Sequence, residues 1–123
     1  MDYDEDELIP IIYVLSDARG HTANTVLEAA IDQFEAGIVD VERISSVSSV
    51  DEIHEYFSQR EEINGSVPCA VFHTIVDPEL RRSIRMELDS FGIPSIDLIG
   101  PAISVLASLT GEDPKNIAGS RHK

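Results

Sequence analysis

IPIIYVLSDARGHTANTVLEAAIDQFE, residues 9–35, reads as a strand, a short polar loop and an amphipathic helix. The run from Ile9 to Ser16 is apolar at odd and even positions alike, so both faces of the strand must be covered. That is the condition of a strand inside a parallel sheet with helices on each side. After the loop, Ala23, Val26, Leu27, Ala30, Ile31 and Phe34 recur at three- and four-residue spacing and share one helical face. The spacing predicts a helix over residues 22–35, with Gly37 as its stop.

The same alternation continues downstream. Residues 38–47 supply Ile38, Val39, Val41, Ile44 and Val47 for a second strand. Ser49 with Glu52 forms a capping box, in which each side chain satisfies a free backbone N–H, and the helix that follows is expected to bury Val50, Ile53 and Phe57. Asn64-Gly65-Ser66 breaks the pattern, and VPCAVFHTIV, residues 67–76, resumes it as an apolar third strand. Asp77 is placed to cap a helix with Pro78 in its first turn and a buried stripe of Leu80, Ile84, Leu88 and Phe91, closed by Gly92. A short strand over residues 95–99 leads through Gly100 and Pro101 to a last helix with Ile103, Leu106 and Leu109 inward, ended by Gly111. The order βαβαβαβα predicts an α/β fold: an open, parallel four-stranded sheet with helices on both faces, flavodoxin-like or Rossmann-like. The expected domain is 9–112, preceded by an acidic leader, MDYDEDEL, at 1–8.

Composition narrows the function classes. With 123 residues one core is expected, and a 42% apolar content is that of a globular chain. Acidic residues outnumber basic ones by 23 to 9, a net charge of −14 that repels a phosphate backbone, so nucleic acid is not an expected partner. No apolar run is long enough to span a membrane and the N-terminus is acidic, which gives a cytoplasmic expectation. The single cysteine, Cys69, lies in the third strand and reads as a structural thiol. The histidines at 21, 54, 73 and 122 show no metal-ligand spacing, so no metal is expected.

Ligands of open α/β sheets sit beyond the carboxyl ends of the strands. The first such exit is Ser16-Asp17-Ala18-Arg19-Gly20-His21-Thr22. Here a helix N-terminus could hold an anion, with Gly20 allowing close backbone approach and Arg19 adding charge-assisted hydrogen bonds. Capping of the helix by Asp17 or Thr22 is the structural alternative. The loop has neither a dinucleotide nor a nucleoside-triphosphate glycine pattern. The second exit brings Asp77, a helix cap, and His73, either an acid or base or a hydrogen-bonded histidine at a strand end, and the third brings Asp97, a carboxylate in an apolar strand that, if buried, needs a partner such as Arg19 or another loop donor and otherwise faces solvent. Ser16, His73 and Asp97 could also form a hydrolytic triad, although the strained nucleophile turn of such enzymes is missing.

Three segments, SDARGHTA, FHTIVDPELR and GIPSIDLIGP, resemble in order and spacing the N-terminal region of the pyruvate, phosphate dikinase regulatory protein family, which includes the phosphoenolpyruvate synthase regulatory proteins. The likeness runs from about Ile11 to His122. It implies a bifunctional serine/threonine kinase and phosphate-dependent pyrophosphorylase, which uses ADP as donor and acts on a threonine beside the catalytic histidine of the dikinase. The implied partners are pyruvate, phosphate dikinase or phosphoenolpyruvate synthase, with a possible homodimer. ADP/ATP and phosphate are implied for the full-length family, and no cofactor for these residues. The family has hydroxyl residues where this chain has Ala18 and Arg19, and Glu where it has His21. Its phosphate-binding loop and kinase core lie C-terminal to the matched region. Residues 113–123 are therefore expected to begin a connection to such a core, and these residues alone are expected not to catalyse phosphoryl transfer. The alternative is an autonomous module that binds a small phosphorylated or carboxylated ligand.

Overall fold

The computed structural model describes residues 9–64 and 67–117. The acidic leader at 1–8 and the segment AGSRHK at 118–123, with His122, lie outside the described residues. Eight elements follow in strict alternation: β1 (Ile11–Ser16), α1 (His21–Ile31), β2 (Asp40–Ile44), α2 (Val50–Asn64), β3 (Cys69–Thr74), α3 (Pro78–Ser90), β4 (Ser95–Asp97) and α4 (Gly100–Thr110). They build one open parallel sheet of order β2-β1-β3-β4, the flavodoxin-like order. The strand order reverses between β1 and β3, so the crevice at their carboxyl ends is the switch point.

Both faces of the sheet are covered, as the apolar run of β1 requires. One face carries Tyr13, Leu15 and Val71 against Ile53 and Phe57 of α2 and Ile84 and Leu88 of α3. The other carries Val14 against Ala23 and Leu27 of α1, with Ile12, Val41 and Phe72 packed around them. Tyr13, Tyr56 and Phe57 meet edge to face, with the Tyr13 and Phe57 ring centroids 4.9 Å apart.

Several expectations give way locally. Helix α1 ends at Ile31, short of Glu35. Val26 and Phe34, expected on its buried face, are exposed, because only the narrower stripe of Ala23, Leu27 and Ile31 meets the sheet. The capping box at α2 forms by half: Ser49 Oγ accepts from Glu52 N at 3.4 Å, while the Glu52 carboxylate accepts from Ser48 Oγ instead. In α4, Leu106 and Leu109 point outward rather than into the core; the helix rests on the body through Gly100, Ile103 and Ala107. The Asp77 cap forms as expected, its carboxylate accepting from Leu80 N at 3.2 Å with Pro78 in the first turn.

Candidate functional site

Parallel pairing places the exits of β1, β3 and β4 along one edge of the sheet, and the β1 exit loop is stitched to its neighbours there. Asp17 Oδ2 accepts from Val76 N of the β3 exit at 2.8 Å, and Ala18 and Ser16 carbonyls accept from Ser46 N and Val47 N of the β2 exit, each at 2.9 Å. Ser16 is buried, and its Oγ accepts from Ala18 N at 3.0 Å, closing a tight turn. Gly20 then takes φ 86°, a left-handed conformation that glycine adopts without strain, and serves as the N-cap of α1.

That first turn has no side-chain cap, correcting the expectation that Asp17 or Thr22 supplies one. Asp17 is occupied by Val76, and Thr22, already inside the helix, is exposed together with Arg19 and His21. The edge thus presents a helix N-terminus with its dipole uncompensated by any acidic side chain in the first turn, beside an exposed guanidinium and hydroxyl.

The β3 and β4 exits form a second, more buried cluster. Asp97 Oδ1 accepts from Ile99 N at 3.0 Å and Gly100 N at 2.7 Å, so it holds the start of α4. Its other oxygen lies 3.3 Å from Arg81 Nε, and Arg81 Nη1 donates to the Ile75 carbonyl at 2.9 Å. Arg81, not Arg19, is therefore the partner Asp97 requires. Sequence reading passed over Arg81, although a cation in the first turn of a helix opposes the dipole and signals a specific partner.

His73 is the Cα register partner of Asp97 and is 1% exposed, with no hydrogen-bond partner at either ring nitrogen. Burial pushes its pKa down against an upward pull from Asp97, and Arg81 and Arg85 add smaller downward contributions. The ring is thus held neutral. Ser95 Oγ is buried and unpartnered as well. No relay joins Ser16, His73 and Asp97: Ser16 pairs in register with Thr74 and Leu15 with His73, which puts Ser16 and His73 on opposite faces of the sheet. A triad cannot assemble there. Asp77 faces solvent and acts as a helix cap.

Cys69 is half-buried against the core, and desolvation raises its thiol pKa, which favours the protonated form. Among the described residues, no three His, Cys, Asp or Glu side chains stand together as a metal site, and no helix is long and apolar enough to cross a membrane.

A family model described as Kinase/pyrophosphorylase matches residues 12–123. Among curated proteins, a pyruvate, phosphate dikinase regulatory protein of Carboxydothermus hydrogenoformans is 35% identical over 109 residues, covering 89% of this chain and 38% of the relative. Proteins of the same name from Oceanobacillus iheyensis and Geobacter sulfurreducens are 32% and 36% identical, covering 93% and 91% of this chain and 41% and 40% of their own lengths. The chain spans about two fifths of the length of the curated relatives it matches.

Proposed function

The chain belongs to the kinase/pyrophosphorylase family, and from that membership we propose that it is the N-terminal α/β domain of a bifunctional, ADP-dependent serine/threonine kinase and phosphate-dependent pyrophosphorylase. In this reading its target is pyruvate, phosphate dikinase or phosphoenolpyruvate synthase. The domain contributes target recognition and one wall of the reaction cleft, and the phosphate cradle is supplied elsewhere. The observation that carries the proposal is the family match over residues 12–123, joined by relatives whose names state regulation of the dikinase.

The geometry is consistent with such a role, because the candidate residues collect on one edge, at the switch point where open α/β sheets bind their ligands. Among the described residues, nothing along that edge combines a glycine-rich phosphate loop, a basic side chain and carboxylates for a metal, the set that phosphoryl transfer needs. A transfer assay with ADP and the dikinase, read as phosphothreonine, is expected to give no product with the 123-residue chain, while the chain retains binding to the dikinase. Failure to bind would remove the recognition role.

The uncapped N-terminus of α1 favours a second reading, in which Arg19, Gly20, His21 and Thr22 bind a small phosphorylated or carboxylated ligand. Calorimetry against phosphate, ADP, AMP, pyruvate and phosphoenolpyruvate tests it; no saturable heat with any of them would end it.

A further inference from the structure

Helix α4 is held at one end. Gly100 is its buried residue; beyond it Ile103 and Ala107 are half-covered, and Val105, Leu106 and Leu109 are exposed. The first turn hangs on Asp97, which accepts from Ile99 N and Gly100 N through Oδ1 and meets Arg81 Nε through Oδ2. Gly100 lies so close that a Cβ there would stand 2.9 Å from Asp97 Cγ, so the carboxylate turns only if the start of α4 gives way.

Beside that carboxylate stands a buried histidine. His73 pairs in register with Asp97, so both side chains leave the same face of the sheet, on strands about 4.8 Å apart. The ring is 1% exposed, and neither nitrogen has a hydrogen-bond partner among the described residues. The charged groups that face it are Asp97 on β4 and Arg81 and Arg85 on α3. On this side β1 and α2 bring the apolar Leu15, Ile53 and Phe57, and α4 carries no ionisable side chain. A neutral imidazole fits such a site. An imidazolium there needs an acceptor for its N–H groups, and Asp97 is the carboxylate that faces it.

We propose that His73 is a proton-operated latch for α4: when the ring takes up a proton from water, Asp97 turns towards it and releases Ile99 N and Gly100 N, and α4 swings out while the sheet stays folded. The coupling is one of competition. In the latched form Asp97 already serves two amides and a guanidinium, and Arg81 and Arg85 disfavour a further cation, so the proton and the latch contend for one carboxylate. Helix α4 is the part that yields because it buries so little of itself, whereas β1, β3, α2 and α3 share one core. Linkage sets the size of the effect. With the proton held by the open form and not by the latched one, opening grows by up to about tenfold per pH unit below the ordinary histidine value of about 6.5. This inference stands independently of the family assignment.

Amide hydrogen exchange read by NMR from about pH 7 to 5, a window above the ordinary carboxylate range, is the test. Protection factors, which remove the intrinsic pH dependence of exchange, are compared between Gly100 N, Ile103 N and Gly111 N at α4 and Val71 N in the sheet, which donates to the Pro94 carbonyl. In the wild-type chain, protection at α4 is expected to fall by about tenfold or more across the window while that of Val71 N holds. The fall is expected to vanish in His73→Phe and in His73→Gln, a second replacement that cannot take the proton. It is expected to persist in His54→Gln, which removes the exposed histidine beside Glu87. Circular dichroism establishes that each variant is folded. Protection at α4 that does not change with pH, that falls only together with Val71 N, or that falls equally in a folded His73 variant would overturn the proposal.

Discussion

Arg81 Nε lies 3.3 Å from Asp97 Oδ2, and this pair ties the first turn of α3 to the first turn of α4. Both side chains are spent on backbone as well: Asp97 accepts two N–H groups at the start of α4, and Arg81 donates to the Ile75 and Val76 carbonyls just after β3. With Asp17 bound to Val76 N, three strand exits become one connected rim. Side-chain bonds thus join backbone bonds such as Leu98 N to the His73 carbonyl, at 2.9 Å, in holding the rim beside the short strand β4.

Asp97→Ala is expected to cost about 1–3 kcal/mol, because two N–H groups and a guanidinium lose their acceptor together. Gly100 reports on the same carboxylate: a Cβ there would lie 2.9 Å from Asp97 Cγ, so Gly100→Ala forces the acid away. Denaturant unfolding of both single variants and the double variant is the measurement. The penalty of Gly100→Ala should shrink in the Asp97→Ala background, and strictly additive costs would show that the two residues are uncoupled.

His73 makes stability depend on pH in a known direction. Its folded pKa is lowered from 6.5, so as pH falls the unfolded chain takes up the proton first. The contribution is fully present above about pH 6.5 and is lost as pH falls through that value towards the folded pKa. His54 acts oppositely: Glu87 raises its pKa, so its contribution is present at low pH and fades as pH rises through the folded value. Comparing wild type with His73→Phe cancels His54 and the carboxylates. The stability loss between about pH 7.5 and 5.5, either side of the ordinary histidine value, should be smaller in the variant. Equal losses would contradict the buried, neutral assignment.

Arg19 separates a binding role from a structural one. It is exposed, and Asp17 and Asp97 are bound by Val76 N and by Arg81, so Arg19→Ala should change stability by no more than about 0.5 kcal/mol without ligand. If the uncapped turn binds anions, phosphate at about 10–100 mM should raise the melting temperature of wild type more than that of the variant. Identical phosphate responses would leave the guanidinium as a solvated side chain.

The fold was legible because its signals are local and redundant: an apolar β1, caps at Asp77 and Ser49, and glycine stops at Gly92 and Gly111. Burial was less so. Phe34, Leu106 and Leu109 continue the helical spacing in sequence but stand exposed, since whether a face is covered depends on what packs against it, which periodicity does not encode. The exit loops were found from topology alone. Their wiring was not: Asp97 could be seen to need a partner, but choosing Arg81 over Arg19 required knowing that the start of α3 lies across the exit of β4.

The recognition role is tested most directly by titrating the purified 123-residue chain against pyruvate, phosphate dikinase and, separately, phosphoenolpyruvate synthase in a calorimeter. The account predicts saturable binding to one of them, without phosphothreonine formation when ADP is added. No saturable binding to either at up to about 100 μM, where an interface of even small size should register, would contradict it.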